Sequence, residues 1–340
     1  MKLIAETAWH HQGEFAFMHQ LVNAINKRTK ADIVKLHLTL DIDEYMAPDH
    51  PLYEDVKIWL LDKDQWKEII ELIISGNKEL MLLFNDTKAV EFGMQFNPTH
   101  VEIHSVCLND NNLLAALKQR LTRETKVVLG VGGSSLYEIE NAINILQHPN
   151  MVLMFGFQNF PTKYEDINFA KMRRIMKLFP EFQFGYADHT AWDEPNNILI
   201  TLLGAALGMD YVEKHVTIAY GEERIDWSAA VSIDMLNEIK ERMKLIEACN
   251  GDGLLRLNKG EQDYSIFGPM KKAAMLTKDL KAGQELEKDI LAFKRTGQIS
   301  DMSQVEALQT IGKEEVTKDI KTGQVLMRDH LKEGMKGKIK

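Results

Sequence analysis

The sequence predicts an α/β protein, a (β/α)8 TIM barrel followed by a small β-rich domain, and three observations support this. Eight apolar or β-rich runs bounded by turn residues occupy the first 218 residues, helix-period segments separate them, and the pattern changes after residue 250. Eight strands that each precede a helix over about 250 residues are typical of a barrel. An open doubly wound sheet rarely needs so many units and ranks second.

The predicted strands are short and end on polar residues. They are residues 3–7, 32–38, 79–84, 100–106, 126–131, 151–157, 183–188 and 211–218. The predicted helices have apolar residues at three- and four-residue spacing, and they cover residues 15–28, 65–75, 113–121, 136–146, 169–179, 197–207 and 233–248. Ser135 followed by Glu138 is a capping-box pattern, which marks the start of the helix at residue 136.

The domain prediction is a catalytic barrel over residues 1–250, a polar linker over 251–269 and a small domain over 270–340. The small domain contains an internal repeat, because Thr-Lys-Asp-Leu-Lys-Ala-Gly-Gln at 277–284 recurs at 317–324 as Thr-Lys-Asp-Ile-Lys-Thr-Gly-Gln. A repeat of short strand, Lys-x-Gly turn and short strand indicates a pseudo-symmetric β-rich module that is too short for a solenoid.

Composition excludes several classes of protein. The 41 basic and 50 acidic residues give a net charge of −9, which argues against a nucleic-acid surface. The N-terminal apolar run is too short for a signal peptide, and no apolar run approaches the roughly 20 residues of a membrane helix. Two distant cysteines, Cys107 and Cys249, fit a reducing compartment and exclude a disulfide framework. We therefore expect a cytoplasmic protein with no nucleic-acid or membrane partner.

Two strand ends carry histidines, His189 after Gln183–Asp188 and His215 within residues 211–218. The carboxyl ends of parallel strands open onto one crevice, so both imidazoles are expected to face one bound metal or substrate, and neutral imidazoles suit Mn²⁺ or Zn²⁺. The alternative is that each is a hydrogen-bonded core residue. The other predicted strand ends contribute further polar groups to the same mouth: Glu6, Lys35, His37, Asn85, Asp86, His104, Ser105, Asn159, Asp188 and Lys214.

Several motifs carry a resemblance to a known family. They are Ile-Ala-Glu at 4–6, His-His-Gln-Gly at 10–13, Val-Lys at 34–35, Asn-Phe-Pro-Thr at 159–162, Gly-Tyr-Ala-Asp-His-Thr at 185–190 and Glu-Lys-His at 213–215. In this order, and with the C-terminal repeat module, the chain resembles the sialic acid synthase family (N-acetylneuraminate synthase, NeuB-like), a barrel followed by an antifreeze-like (SAF) domain. The resemblance covers essentially the whole chain.

The resemblance implies a metal-dependent condensation of phosphoenolpyruvate with an N-acylated hexosamine, giving a nine-carbon 2-keto sugar acid for cell-surface polysaccharides. It implies that His189 and His215 hold a divalent metal, Mn²⁺ or Mg²⁺, and that Glu6 lies near the reacting centre. The substrate-binding residues that it implies are Lys35, Ser105, Asn159 and Lys272 for phosphoenolpyruvate, Asp226 and Arg295 for the acceptor sugar, with Asp188 and Lys214 beside them. It also implies a domain-swapped homodimer in which each small domain caps the partner's barrel.

The chain departs from the family pattern on the side that would hold phosphate. Glu102 stands where the family has a lysine and Cys107 where it has a glutamate, and hydroxyl-bearing positions have become Gly130 and Ala187; Trp227 replaces a histidine. Uncompensated, these changes would weaken a dianion site by several kcal/mol. Two alternatives therefore stand beside the synthase: a diverged enzyme that joins a different donor or acceptor, and a non-catalytic binding protein that retains the fold.

Overall fold

The computed structural model describes residues 1–156, 159 and 161–332. Phe157, the last residue of the predicted sixth strand, Phe160 of the Asn-Phe-Pro-Thr motif and residues 333–340 of the predicted small domain lie outside the described residues. The chain divides into two compact units, Met1–Gly251 and Asp252–Lys340. Residues 252–269, predicted as a linker, fall within the second unit and contain a short helix.

The first unit is a closed barrel of eight parallel strands, which confirms the predicted fold class. Each strand pairs with the next in the chain, and the first pairs with the eighth to close the sheet. The strands are β1 Lys2–Glu6, β2 Ile33–Leu38, β3 Glu79–Phe84, β4 His100–Ile103, β5 Lys126–Gly130, β6 Met151–Gly156, β7 Gln183–Asp188 and β8 Tyr211–Thr217. A two-residue strand, β9 Val231–Ser232, pairs with β8.

Helices surround the barrel because their apolar stripes bury against the outer faces of the strands. In the first unit they are α1 Phe15–Arg28, α2 Ile42–Tyr45, α3 Tyr53–Trp59, α4 Lys63–Ser75, α5 Thr87–Gly93, α6 Asn111–Lys118, α7 Leu136–Leu146, α8 Tyr164–Ile167, α9 Phe169–Leu178, α10 Asn197–Ala205 and α11 Ile233–Asn250. The capping box at α7 is present as predicted: Ser135 and Glu138 each satisfy a backbone amide of the other. No helix in the described part of the chain is both long and apolar enough to cross a membrane.

The barrel has an apolar floor beneath a polar mouth. Side chains that point inward from alternate residues fill the lower layer, among them Ile4, Ile33, Met81, Val128 and Val152. The larger core lies between the strands and the helices. The floor closes the barrel at the amino ends of the strands, so a ligand can be held only at the carboxyl ends.

Residues 40–60, between β2 and α4, were not predicted to be helical but contain α2 and α3. Both helices are shorter than two and a half turns, too short to show a helical period. They pack Ile42, Tyr53, Val56 and Trp59 into a hydrophobic cluster separate from the main core. This cluster lies over the mouth of the barrel and shapes the site described below.

The second unit contains α12 Lys259–Tyr264, an antiparallel pair of β10 Ala273–Leu276 with β11 Leu291–Lys294, and α13 Gln304–Thr310. The two copies of the repeat lie antiparallel, with Leu280 bridged to Ile320. Their charges pair reciprocally: Lys281 Nζ lies 2.6 Å from Asp319, and Lys321 Nζ lies 2.8 Å from Asp279. The two copies of the sequence repeat are therefore related by a pseudo-twofold axis within this unit.

Candidate functional site

A cavity opens at the carboxyl ends of the barrel strands. It has a volume of about 260 Å³, close to the lower end of the range for small-molecule sites. Its inner part is lined by charged and imidazole side chains that occupy inward positions: Glu6, Lys35, His37, Glu102, His104, His189, Glu213 and His215. These residues alternate with outward-pointing ones along each strand, as the two-residue period of a strand requires.

Lys35 is the centre of this inner cluster, and it is 2% exposed. Its ammonium lies 2.8 Å from Glu102, 2.9 Å from Glu213 and 3.2 Å from Glu6. Glu213 accepts a hydrogen bond from this ammonium, and the carboxyl groups of Glu6 and Glu102 lie within ion-pair distance of it. Lys35 was predicted to bind phosphoenolpyruvate, and that role stays a prediction; in this structure its ammonium contacts Glu6, Glu102 and Glu213.

The carboxyl groups around Lys35 differ in pKa. Burial would raise the pKa of Glu6, but Lys35 and His215 hold it well below its usual value, so Glu6 is ionised. Burial and the Glu6 charge raise the pKa of Glu213 well above its usual value, against the opposing effect of Lys35. Burial also raises the pKa of Glu102, against the opposing effect of Lys35. Two environments thus shift the pKa values of neighbouring carboxyl groups in opposite directions.

The two predicted metal ligands lie together. The rings of His189 and His215 meet edge to face with centroids 4.8 Å apart, and His215 Nε2 lies 3.2 Å from Glu6. Burial and the neighbouring His215 lower the pKa of His189 to about 4, so its imidazole is neutral. Burial opposes protonation of His215, but Glu6 raises its pKa overall. His37 Nε2 lies 2.5 Å from the other oxygen of Glu6.

These residues offer part of a metal site. Neutral imidazoles and an ionised carboxylate are ligand types that divalent transition metals accept. In the described residues, no group of three or more His, Cys, Asp or Glu side chains already converges on one point. His189 and His215, with Glu6 beside them, therefore fit a cation whose remaining positions are filled by water or substrate.

The outer part of the cavity is apolar. Its lining side chains come from the loop after β1, from residues 45–59 and from the loop after β8: Trp9, Tyr45, Met46, Leu52, Val56, Trp59 and Ile225. We call this set the apolar wall. Trp9 and Trp59 lie within it with ring centroids 6.5 Å apart. These residues were not predicted to be functional, because apolar side chains in a segment without a helical period give no signal of function.

Asp226 lies between the inner cluster and the apolar wall. It lines the cavity, and its Oδ2 accepts a hydrogen bond of 3.0 Å from the backbone N–H of Trp9. It adopts a left-handed backbone conformation with φ of +62°, which is uncommon outside glycine. Asp226, which was predicted to bind the acceptor sugar, thus lies at the mouth of the barrel. Its carboxylate also links the loop after β8 to the loop after β1.

Asp188 and Lys214, predicted to bind substrate, point away from the cavity. Their neighbours Ala187, His189, Glu213 and His215 line it, so the strand period places these two on the outer side. Both are buried there, with Lys214 Nζ 2.9 Å from Asp188. This ion pair links β7 to β8 and is placed to position the two histidines, and neither of its side chains lines the cavity; that it binds substrate stays a prediction.

Two further predicted ligands in the first unit, Ser105 and Asn159, do not line the cavity. Ser105 begins a 3-10 turn after β4, and an added Cβ at Gly130 would lie 2.8 Å from its backbone nitrogen, so Gly130 is required by close packing. Asn159 is exposed, and its carbonyl accepts a hydrogen bond from Thr162. Lys272 and Arg295 are exposed residues of the second unit, where the guanidinium of Arg295 donates to the Pro269 carbonyl at 2.6 and 2.9 Å.

Similarity to known proteins identifies the family. The NeuB family model matches residues 24–254. The chain is 26% identical over 313 residues to the N,N'-diacetyllegionaminic acid synthase of Campylobacter jejuni, covering 86% of this chain and 90% of that protein. It is 24% identical over 307 residues to the N-acetylneuraminate-9-phosphate synthase of Mus musculus, covering 86% and 82%.

A solved structure has the same fold. The N-acetylneuraminic acid synthetase of Leptospira borgpetersenii superposes with a TM-score of 0.69 at 23% identity, over 77% of this chain and 88% of that one. The family model covers more than half of the 340 residues. With the closed barrel and the His189–His215 pair in place, the chain belongs to the NeuB family.

Proposed function

We propose that this protein is a sugar-acid synthase that forms a carbon–carbon bond between an enol donor and the aldehyde of an N-acylated amino sugar. The general reaction is supported by the names of three relatives: an N,N'-diacetyllegionaminic acid synthase, a pseudaminic acid synthase and an N-acetylneuraminate-9-phosphate synthase. The observation that carries the proposal is the buried group of His189, His215 and Glu6 at the base of a cavity with an apolar outer wall.

In the finer form of the proposal, phosphoenolpyruvate is the donor. Its C3 forms the new bond to the aldehyde carbon, the aldehyde oxygen takes a proton, water adds at C2, and phosphate leaves from C2. A divalent cation held by His189 and His215 would polarise the aldehyde as a Lewis acid. Glu213 lines the cavity and has a raised pKa, which makes it the acid candidate for the aldehyde oxygen, while Glu6, whose pKa is lowered, stabilises positive charge there.

The test is direct product analysis. Purified protein is incubated with Mn²⁺, phosphoenolpyruvate and a panel of N-acylated mannosamine derivatives, and both phosphate release and the 2-keto acid are measured by NMR. Stoichiometric formation of the two products is expected, and it should disappear in a Glu213→Gln variant, which keeps the size of the side chain but removes the acid. Absence of any 2-keto sugar acid across the panel contradicts the finer proposal.

A second candidate function is the same type of condensation with a donor that carries no phosphate dianion. The observation that favours it is that three carboxyl groups surround the Lys35 ammonium within 3.2 Å, one of which belongs to Glu102. A dianion brought into this cluster would meet carboxylates without a free cation, at a cost of several kcal/mol. Pyruvate-like monoanions or neutral carbonyl compounds avoid most of that repulsion.

Substitution at position 102 separates the two candidates. Glu102→Lys adds a cation and removes an anion beside Lys35, so it should tighten phosphoenolpyruvate binding by at least about tenfold. Glu102→Gln is the matched control, because it removes the charge and adds no cation. Suppose that the wild type binds phosphoenolpyruvate at low micromolar Kd by calorimetry and that Glu102→Lys has no effect on this Kd. The carboxyl groups around Lys35 then do not disfavour a dianion, and the second candidate loses its support.

We also propose that the active form is a domain-swapped homodimer, in which Arg295 of one subunit reaches the acceptor in the other subunit's barrel. Support comes from the family resemblance and from the exposure of Arg295 in the second unit. A guanidinium suits the amide or carboxylate groups of a sugar acid because its donors bind such groups in pairs.

A further inference from the structure

A second cavity lies beside the barrel mouth, between the segment that contains α2 and the ends of β3 and β4. It has a volume of about 590 Å³, within the range for small-molecule sites. Its lining comes from side chains within residues 44–51 and from residues that follow β3 and β4. Tyr45 and Met46 line both this cavity and the one described above, here called the first cavity, so a ligand in either would contact them.

The charged lining of the second cavity is acidic. Glu44, Asp49 and Asp110 contribute carboxyl groups, and no lysine or arginine of the described chain lines the cavity. Glu44 is held in place by Thr87, whose backbone N–H and hydroxyl donate to its two oxygens at 3.0 and 2.8 Å. Asp110 caps the start of α6 through Oδ1. This lining favours a ligand that carries positive charge.

A buried amide oxygen belongs to the same lining. Asn85 is 2% exposed, and it lines the second cavity and not the first. Its Nδ2 donates to the hydroxyl of Thr39 at 2.9 Å, whereas its Oδ1 has no hydrogen-bond partner within the part of the chain that the structure describes. A buried acceptor without a donor is costly, and a ligand that brings an N–H group would satisfy it.

The remaining titratable groups leave this acidic character unchanged. Burial, with the nearby Asp110, raises the pKa of the Cys107 thiol to about 12, so the thiol keeps its proton. His50 Nδ1 accepts a hydrogen bond of 3.1 Å from the backbone N–H of Leu52, which leaves the ring neutral. Within the described residues, no three His, Cys, Asp or Glu side chains are grouped so that they could hold a metal ion. The lining therefore fits an organic cation better than a metal ion.

We propose that the second cavity binds a primary ammonium group carried on a short apolar chain. The ammonium donates to the amide oxygen of Asn85, and Asp49 and Asp110 supply the counter-charge. Met46 and Val106 provide apolar surface for the chain. The inference is independent of the reaction proposed above, because the acidic residues and the amide that carry it do not line the first cavity.

The experiment titrates the full-length protein with three probes that share one apolar chain. n-Butylammonium has both the charge and the N–H donors, n-butyltrimethylammonium has the charge without the donors, and 1-butanol has no charge. The ¹³C-methyl groups of Met46 and Met154 are followed by NMR, because Met154 lines the first cavity and not the second. n-Butylammonium should shift the Met46 methyl signal and leave that of Met154 in place. Its Kd should be lower than that of either other probe by at least about tenfold, as expected for a charged hydrogen bond.

Two exposed aspartates provide a matched pair of variants. Asp49→Asn removes one charge from the lining and should raise the Kd of n-butylammonium about two- to fivefold. Asp55→Asn is the control, because it changes the net charge equally and Asp55 does not line the cavity. Asn85→Ala removes the amide oxygen and should abolish the preference for n-butylammonium over its trimethyl analogue. Urea unfolding shows whether the Asn85→Ala variant folds, and the aspartate pair decides the question if it does not.

Several results would overturn the inference. One is equal Kd values for n-butylammonium and either of the other probes, because the ammonium donors would then contribute nothing. A second is a shift of the Met154 signal without one of Met46, which places the ligand in the first cavity. The absence of a saturable Met46 shift, or equal weakening of binding by Asp49→Asn and Asp55→Asn, overturns it as well.

Discussion

The buried pair of Asp188 and Lys214 allows a quantitative test of how the site is positioned. Asp188 Oδ2 accepts hydrogen bonds from Lys214 at 2.9 Å and from Thr201 at 2.7 Å. Its Oδ1 accepts from the hydroxyl and the backbone N–H of Thr190 and from the hydroxyl of Tyr186. Lys214, in contrast, has Asp188 as its charged partner. Replacing Asp188 should therefore change the free energy of unfolding by a different amount from replacing Lys214.

We expect Asp188→Asn to be the more destabilising change. It leaves the buried Lys214 ammonium without a counter-charge and turns an NH2 group toward hydrogen-bond donors, which costs about 3–5 kcal/mol. Lys214→Met fills a similar volume and leaves the carboxylate with four donors, so its cost is that of one charged hydrogen bond, about 1.5–3 kcal/mol. The double variant should cost less than the sum, because neither charge remains.

The assay is urea unfolding followed by tryptophan fluorescence. All five tryptophans lie in the first compact unit, so the signal reports barrel unfolding in the intact chain. Equal m-values are needed for the free energies of unfolding to be compared. If Lys214→Met is as destabilising as Asp188→Asn, or if both cost less than about 1 kcal/mol, the positioning role is refuted.

Three further predictions concern metal, pH and assembly. His189→Ala and His215→Ala should each abolish Mn²⁺ uptake in calorimetry while His100→Gln retains it; stoichiometric binding by the His189/His215 double variant contradicts the assignment. Burial, together with the charges of Lys2 and Lys126, lowers the pKa of His100 to about 3. In the unfolded chain the pKa of a histidine is about 6.5, so below that pH the unfolded chain binds a proton that the folded chain does not. The free energy of unfolding therefore falls by up to about 1.4 kcal/mol per pH unit as the pH decreases toward 3. His100→Gln should reduce this slope between pH 6 and 4, and an unchanged slope excludes the contribution. Mixing Arg295→Ala with His189→Ala protein should restore partial activity after subunit exchange, and no recovery argues against a composite site.

The barrel could be predicted from the sequence because its strands and most of its long helices have clear periods. The start of α7 follows from Ser135 and Glu138, and the meeting of His189 with His215 follows from the rule that parallel strand ends share one edge. Family membership follows from motifs that keep their order over the whole chain.

The assignments of Asp188 and Lys214 could not be made from motifs alone. Both are next to cavity residues in the sequence, but neighbouring side chains of a strand point to opposite faces. A shift of one position along the strand therefore separates a side chain that faces the cavity from one that packs on the outer side. The apolar wall was missed for a different reason. Val56 and Trp59 lie on a seven-residue helix, and nothing in its composition distinguishes a lid over a cavity from a small satellite core.

The pairing of β1 with β8 has a consequence for when the protein becomes functional. Glu6 lies opposite Lys35 on one side and His215 on the other, so the inner cluster joins residues from both ends of the barrel sequence. Contacts over such separations form late in folding, because closing a long loop costs entropy before any contact repays it. A nascent chain that stops before β8 lacks Glu213 and His215, which contact Lys35 and Glu6 in the closed barrel. Ligand binding can therefore begin only with ring closure, and binding would report that the whole barrel has been synthesised and folded.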